Sequence, residues 1–195
     1  MIFEVFVQTL IPWIVLLGMA LAFSLLVLFI LTFTRAHSSV SAVHGFVRSY
    51  GVALAGFVAL TATAGSLFYS EVLGFFPCPL CWYQRILMYP LVLLFGVALF
   101  LGKRDVYKYA LSLAVPGFVV AVYHYLVQVY QITTACIAPG GRELVEEAGQ
   151  CTMRFVFDFG FLSIPFMAAV AFLMIILLSL LALRKPRASG SHEEQ

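Results

Sequence analysis

Five long apolar stretches constrain the fold of this chain more than any other feature. They cover residues 10–33, 50–69, 82–101, 109–130 and 161–183 of a sequence of 195 residues. A helix needs about 20 apolar residues to cross the hydrocarbon core of a bilayer, and each stretch is close to that length. Only 10% of the residues are charged, whereas soluble domains typically have about 25%. The sequence therefore predicts an all-α integral membrane protein without a separate soluble domain.

The basic residues predict which side of the membrane each connection faces. They are concentrated in alternate connections and in the C-terminal tail, as Arg35, Arg48, Lys103, Arg104, Lys108, Arg184, Lys185 and Arg187. Cytoplasmic loops are usually enriched in lysine and arginine, so we expect these segments in the cytoplasm. Residues 71–81 and 131–160, with all four cysteines, then lie outside it. No long basic run or nucleic-acid motif is present, so we expect the lipid bilayer and no nucleic acid among the partners.

The first apolar stretch is predicted to be an extra membrane span and not a cleaved signal peptide. Glu4 stands where a signal peptide carries basic residues, the apolar run is too long, and Arg35 follows it. We therefore expect three parts: an extra N-terminal transmembrane helix and cytoplasmic loop (1–44), a four-helix transmembrane bundle with two cysteine loops (45–183), and a cytoplasmic polar tail (184–195).

A close pair of cysteines, Cys78 and Cys81, stands at the membrane boundary of the third stretch. A C-x-x-C pair can cycle between dithiol and disulfide, and each cycle moves two electrons. Pro77 and Pro79 disfavour helical backbone in the residues before them, so we expect the helix to begin at Leu80 or Cys81. Cys81 would then lie at a helix N-terminus, where the macrodipole stabilises a thiolate, and Cys78 would be the more mobile, solvent-facing sulfur.

Two ionisable side chains are expected near this pair. Arg85 lies one turn deeper than Cys81 on the same helical face, so its guanidinium can lie beside the thiolate or beside a ligand oxygen such as a quinone carbonyl. Alternatively, Arg85 extends to the outer interface and has no further role. His124 lies at comparable depth on the next helix, either as a ligand-binding group or as an intramembrane histidine satisfied by a neighbour.

A second pair, Cys136 and Cys151, flanks a strong turn signal at Pro139-Gly140-Gly141. Its two cysteines can form a redox-active disulfide or a structural bridge, which would stabilise a loop of this length by about 3 kcal/mol. The aromatic segment 153–161 suits the outer membrane interface, where it would hold the second pair near the first or simply anchor the last helix. The wide spacing departs from paired C-x-x-C zinc frameworks, so no metal site is expected.

The segment 78–91 reads CPLCWYQRILMYPL. This run resembles the signature of the DsbB/BdbC disulfide bond formation proteins, bacterial membrane oxidases that regenerate a thioredoxin-fold thiol oxidase. The architecture is also similar over residues 45–183, with four spans, a first outward loop carrying C-x-x-C and a longer second loop carrying two separated cysteines. The chain departs from the family in its extra N-terminal helix and in Gln84, where some relatives carry an acidic residue.

The resemblance implies an order of thiol exchange. A reduced DsbA/BdbD-like partner would attack a Cys136–Cys151 disulfide through Cys136, and Cys151 would then exchange with Cys78. Cys81 would pass the electron pair to a membrane quinone, either ubiquinone or menaquinone. The expected protein is a thiol:quinone oxidoreductase of the bacterial cytoplasmic (inner) membrane that drives disulfide formation outside the cytoplasm.

The resemblance also implies roles for two further residues and leaves two rival functions. Arg85 matches the family's quinone-side arginine, and His124 corresponds to a family histidine in the third core helix. One rival is a reductase of the vitamin K epoxide reductase type, which epoxide turnover would reveal. The other is a non-enzymatic membrane scaffold or transporter subunit, in which the cysteines form inert structural disulfides.

Overall fold

The structure is a computed structural model that describes residues 39–103, 105–132, 151–157 and 159–184, together with Trp13, 17–21, Ser24 and Val27. Within this set, the side chains of residues 39–44 are not described. Cys136, most of the second cysteine loop, the rest of the first apolar stretch and the tail beyond residue 184 lie outside the described residues.

Four long helices form the core: α1 (Ser39–Leu67), α2 (Pro79–Leu101), α3 (Val106–Tyr130) and α4 (Ile164–Leu183). α1 continues into a π-helical turn, Phe68–Val72. All four are long and apolar enough to cross a membrane. The predicted all-α fold with a four-helix transmembrane core is confirmed, and the described residues of the first apolar stretch are helical as well.

Helices that are neighbours in sequence are also neighbours in space. α1 packs on α2, α2 on α3 and α3 on α4, and α4 also packs on α1, which closes the bundle. With successive helices antiparallel, the end of α1, the start of α2, the end of α3 and the start of α4 meet. We call this the cysteine end of the bundle, because Cys78, Cys81 and Cys151 lie there.

Small residues allow the helices to approach closely. Ala55 and Ala59 on α1 are fully buried, and Gly51 continues the same face one turn earlier. The tightest contact is at Gly117 on α3, where an added Cβ would lie 2.3 Å from the ring of Phe172 on α4. Small side chains in membrane helices let backbones pack without voids, and here they fix the distance between facing helices.

The described part of the extra N-terminal helix lies against α4 and the segment before it. The rings of Trp13 and Phe159 meet edge to face, with centroids 6.2 Å apart. Gly18 faces α4, because a Cβ added there would lie 4.0 Å from Met174 Sδ. Leu17, by contrast, is 72% exposed and points away from the bundle.

Candidate functional site

Cys78 is the residue that caps α2. Its backbone is extended, with φ −68° and ψ 167°, and its Sγ accepts a hydrogen bond from the backbone N–H of Cys81 at 3.4 Å. Pro79 fits the first helical position, where a missing N–H costs nothing and the fixed φ already suits a helix. The prediction that α2 begins at Leu80 or Cys81 is therefore wrong, because the residue that Pro79 keeps out of helical backbone is the cap itself.

The two cysteines of this pair are free thiols with their sulfur atoms 3.2 Å apart. Cys78 is only 2% exposed, whereas Cys81 is half-buried. The prediction that Cys78 is the solvent-facing sulfur is wrong. As the capping residue, its side chain folds under the first turn of α2 and joins a buried cluster with Leu80, Val127 and Cys151.

His124 connects α3 to this cap. The ring is 1% exposed, and its Nε2 lies 3.6 Å from Cys78 Sγ. Its Nδ1 accepts a hydrogen bond from the amide Nε2 of Gln84 at 3.0 Å, and Gln84 is also buried. A neutral imidazole has one donor and one acceptor nitrogen. Because Gln84 donates to Nδ1, the ring proton is on Nε2 and points at Cys78.

These contacts favour a thiolate at Cys78. They lower the pKa of Cys78 from 9.0 to about 4, chiefly through the hydrogen bond with the Cys81 thiol, while burial acts in the opposite direction. Hydrogen bonds from His124 and from the Cys81 backbone lower this pKa further. Stabilising the thiolate stabilises the reduced pair, so the corresponding disulfide is more strongly oxidising.

The thiolate of Cys78 gives a measurable pH dependence. In the reduced protein, thiolate absorbance near 240 nm should persist from pH 8 and fall with a midpoint near pH 4. The folded pKa lies below the ordinary value, so the thiolate contacts stabilise the reduced fold fully above pH 9.0 and lose this effect as the pH falls to about 4. His124→Ala should raise the midpoint, and Cys78→Ser should remove the transition. A wild-type midpoint above pH 8 would contradict the assignment.

Arg85 is buried and joins α2 to the end of α1. Its Nε donates to Ser66 Oγ and its Nη2 to the Ser66 carbonyl oxygen, both at 3.0 Å. Its guanidinium also lies 5.3 Å from the ring centroid of Trp82. These contacts hold the charge inside the bundle, which differs from the alternative in which Arg85 extends to the interface. The two hydrogen bonds use two of the five N–H donors of the guanidinium.

A cavity of about 720 Å³ begins beside these residues. Its polar end is lined by Ser66, Cys78, Cys81, Gln84, Arg85 and His124. The rest is mainly apolar and runs between α1 and α4 as far as Val47 and Leu178. Ligand pockets in proteins typically measure about 300–1,000 Å³ and combine apolar walls with a few convergent polar groups. This cavity has those properties, and Cys81 reaches it directly.

Cys151 is brought next to the first pair. It is fully buried and disulfide-bonded, and it belongs to the same cluster as Cys78 and Val127. Its predicted partner, Cys136, lies outside the described residues. The expectation that the second pair lies near the first therefore agrees with the position of Cys151.

The residues after Cys151 are fastened to the end of α3. Arg154 donates to the Gln128 carbonyl oxygen through Nε at 3.1 Å and Nη2 at 2.6 Å, and Gln128 Nε2 donates to the Met153 carbonyl oxygen at 3.0 Å. Phe155 stacks on Phe75 with ring centroids 4.9 Å apart. The last carbonyls of a helix lack intrahelical partners, so Arg154 satisfies them while it holds Cys151 in place.

Removing Arg154 should slow thiol exchange between the two cysteine pairs. We expect Arg154→Ala to lower the rate of that step about tenfold, because hydrogen bonds to charged groups contribute about 1.5–3 kcal/mol each. Stopped-flow measurement of exchange, with quinone reduction measured separately, checks this. Arg154→Lys keeps the charge but loses the paired bonds, so an intermediate rate is expected. An unchanged rate for the alanine variant would show that Arg154 does not position Cys151.

Several of these contacts were not predicted from the sequence. The sequence marks Gln84 only as a departure from the family pattern, and it does not identify Ser66, Gln128 or Arg154 as site residues. Gln84 and Arg85 are adjacent on one helix, where one side chain meets α3 and the other meets α1. A polar pair within an apolar stretch was the only signal in the sequence that could have identified Gln84.

The same centre offers ligands for a metal. The sulfur atoms of Cys78 and Cys81 and a ring nitrogen of His124 all lie within 4.8 Å of one another, which makes them the candidate ligand set among the described residues. Thiolate and imidazole are the ligands that Zn²⁺ prefers. An ion bound there would engage both sulfurs and block their exchange.

Together, the bundle and its cysteine end define a multi-pass membrane protein with a thiol–disulfide centre beside an apolar cavity. The family described as disulfide bond formation protein DsbB matches residues 48–182. The chain belongs to this family of bacterial membrane proteins, whose members are disulfide oxidoreductases.

Curated relatives agree with that assignment. A probable disulfide formation protein of Oceanobacillus iheyensis is 50% identical over 134 residues, which cover 65% of this chain and 84% of the relative. Disulfide bond formation protein C of Bacillus subtilis is 45% identical over 122 residues, covering 62% and 83%. Probable disulfide formation protein C 1 of Bacillus anthracis is 36% identical over 137 residues, covering 70% and 94%. No solved structure matches the chain.

Proposed function

We propose that this protein is a thiol:quinone oxidoreductase that reoxidises a thioredoxin-fold dithiol oxidase and passes the electrons to membrane ubiquinone or menaquinone. The observation that carries the proposal is the position of the C-x-x-C pair. Cys78 and Cys81 both line the apolar cavity together with Arg85, and Cys78 is also buried in one cluster with Cys151, against which Cys81 packs. The pair thus lies between a second disulfide and a site for a lipid-soluble acceptor.

The proposed exchange begins at the second loop. The sequence has four cysteines, Cys78 and Cys81 are free, and Cys151 is disulfide-bonded, so we take Cys136 as its partner. A thiolate of the reduced partner attacks Cys136, and the partner's second thiolate completes its own disulfide. This leaves Cys136 and Cys151 reduced by two electrons.

The next exchange transfers those electrons to the first pair. The thiolate of Cys151 attacks Cys78 of a Cys78–Cys81 disulfide, and Cys81 leaves as the thiolate. Cys136 then attacks Cys151, which restores the second disulfide and leaves Cys78 and Cys81 as the free pair. The stabilised thiolate of Cys78 favours this direction, because it makes the first pair the better electron acceptor.

The residues that line the cavity fit a quinone head group. When bound, a quinone supplies an acceptor for two electrons and two protons and leaves as the hydroquinone. Arg85 keeps N–H donors beyond its two bonds to Ser66, and these suit a carbonyl oxygen. One turn deeper, the Tyr89 hydroxyl is buried without a hydrogen-bond partner among the described residues, and Tyr89 also lines the cavity. Two donors one helical turn apart suit the two carbonyls of one ring.

We propose that the cysteine end faces the extracytoplasmic side and that the C-terminus is cytoplasmic. Lys103, in the connection between α2 and α3, and Lys108, in the first turn of α3, lie at the opposite end of the bundle, and basic connections are usually retained in the cytoplasm. A partner outside the cytoplasm can then reach the second loop. We also propose three parts: residues 1–44 with the extra helix, residues 45–183 with the bundle, and residues 184–195 as the tail.

A reconstituted reaction tests the proposed function. The purified protein is mixed with a reduced thioredoxin-fold partner and a quinone, and quinone absorbance is followed. We expect quinone reduction that stops in a variant with serine at both residue 78 and residue 81. Quinone that stays oxidised, or that is reduced equally by this variant, would refute the proposal. Family membership favours this reaction over epoxide reduction and over an inert scaffold.

A further inference from the structure

The extra N-terminal helix contributes to the cavity. Gly18 and Leu21 line it, opposite residues of α1 and α4. Gly18 packs near Met174 of α4, and Trp13 packs against Phe159 just before α4, so the described part of this helix follows α4 across the membrane. The family match begins only at residue 48. This wall of the cavity is therefore an addition to the four-helix core that the family shares.

The shape of the cavity indicates what its apolar part holds. Ser66 at the polar end and Val47 at the far end are both on α1, and the helix between them is about 28 Å long at about 1.5 Å per residue. The hydrocarbon core of a bilayer is about 30 Å thick. A quinone ring fills only the polar end. The remaining length is lined mainly by apolar side chains such as Phe57, Ala171 and Leu178, which suit a long apolar chain.

We propose that the extra N-terminal helix is a side wall of a channel for the polyprenyl tail of the quinone, with Gly18 and Leu21 as the residues that face the tail. This inference rests on the proposed quinone site and adds a tail subsite to it. A Cβ at residue 18 would already be in ordinary contact with Met174 Sδ, at 4.0 Å, so a larger side chain there would have to extend into the cavity that Gly18 lines. The helix then selects for quinones with long tails, because only these reach its surface.

A substitution series tests the tail subsite. Gly18→Phe should raise the KM for a long-tail quinone about tenfold, the loss expected when about two methylene groups lose their burial. The KM for a short-tail quinone should stay within about twofold, because its head still reaches Arg85. Leu17→Phe is the matched control, since Leu17 is 72% exposed and points away from the bundle. Leu21→Trp, from the other lining residue, should act like Gly18→Phe.

A second readout does not depend on turnover. A long-tail quinone with a diazirine near the end of its tail, photolysed on the wild-type protein, should label peptides that contain residues 17–21, and Gly18→Phe should reduce this labelling. Labelling confined to α1 and α4, or an equal response of the Gly18 and Leu17 variants, would overturn the tail subsite. If the wild-type protein reduces no quinone of any tail length, the proposed function fails instead.

Discussion

Replacing Cys78 with serine should abolish catalytic turnover. In the proposed exchange, Cys78 receives the electrons of the second pair, and it is the member of the first pair that is buried in one cluster with Cys151. We expect quinone reduction to fall by about 10⁴-fold or more, the scale on which the removal of an enzyme nucleophile acts. The measurement is steady-state quinone reduction with the reduced partner in excess.

The same variant should keep one partial reaction. The second disulfide is intact in Cys78→Ser, so one equivalent of partner should still be oxidised in a single burst. Leu91→Met is a control for disturbance of the packing, because Leu91 is fully buried on α2 and does not line the cavity. Residual steady turnover by Cys78→Ser would show that electrons reach the quinone by a route that does not use this cysteine.

Replacing Arg85 with alanine should weaken quinone use and leave thiol exchange intact. Arg85 lies at the polar end of the cavity, and Ser66 orients its guanidinium through two hydrogen bonds. Hydrogen bonds to charged groups contribute about 1.5–3 kcal/mol, so kcat/KM for the quinone should fall about 10- to 150-fold. The rate of exchange between the two cysteine pairs, measured without quinone, should change by less than about twofold.

Three further variants separate the effect of the orientation of the Arg85 guanidinium from the effect of its charge. Ser66→Ala keeps the guanidinium but removes one of its anchors, so a smaller loss is expected. Arg85→Lys keeps the charge without the planar fork and should only partly restore activity. Arg48→Ala removes an exposed arginine from α1 and should have no effect. Equal losses in thiol exchange and in quinone reduction for Arg85→Ala would contradict a role at the quinone site.

The membrane fold could be predicted from the sequence because the bilayer fixes the length of each span. The stretch 82–101 lies within α2 and 109–130 within α3, with the same C-terminal residues, Leu101 and Tyr130. Those ends are set by local signals. Gly102 has φ +62° at the end of α2, a conformation that glycine adopts without strain, and it ends the helix before Lys103. Such signals are readable within a few residues of sequence.

The contacts of the site could not be predicted, because they depend on how each helix is rotated about its axis. The sequence placed Arg85 and His124 at comparable depths but did not show which faces meet. In the structure, His124 contacts Cys78 and Gln84 across the α2–α3 interface, while Arg85 turns to α1. The sequence predicts that the two sulfurs differ chemically, with the stabilised thiolate at Cys81. In the structure the contacts favour the thiolate at Cys78 instead, because Cys78 is the buried capping residue.

The attachment of the second loop could not be predicted from the sequence either. The aromatic run after Cys151 predicted a segment near the membrane interface. The attachment of that segment depends on Arg154 and on carbonyl groups at the end of α3, 26 residues earlier in the chain. Hydrogen bonds between a side chain and a distant backbone carbonyl leave no periodic pattern in a sequence. Only the three-dimensional structure shows that Arg154 binds the carbonyl groups at the end of α3.

The central claim is that electrons pass from Cys151 to Cys78 by thiol exchange. Trapping a disulfide between these two cysteines tests it most directly. In a variant with Cys81→Ser and Cys136→Ser, mild oxidation should join Cys78 to Cys151, and mass spectrometry of the linked peptides identifies the bond. The matched control, with Cys78→Ser and Cys136→Ser, leaves Cys81 and Cys151 and should form its bond at least about tenfold more slowly, because Cys78 and Cys151 are buried members of one cluster, whereas Cys81 only packs against it. Equal rates in the two variants, or no bond between Cys78 and Cys151, would contradict the account.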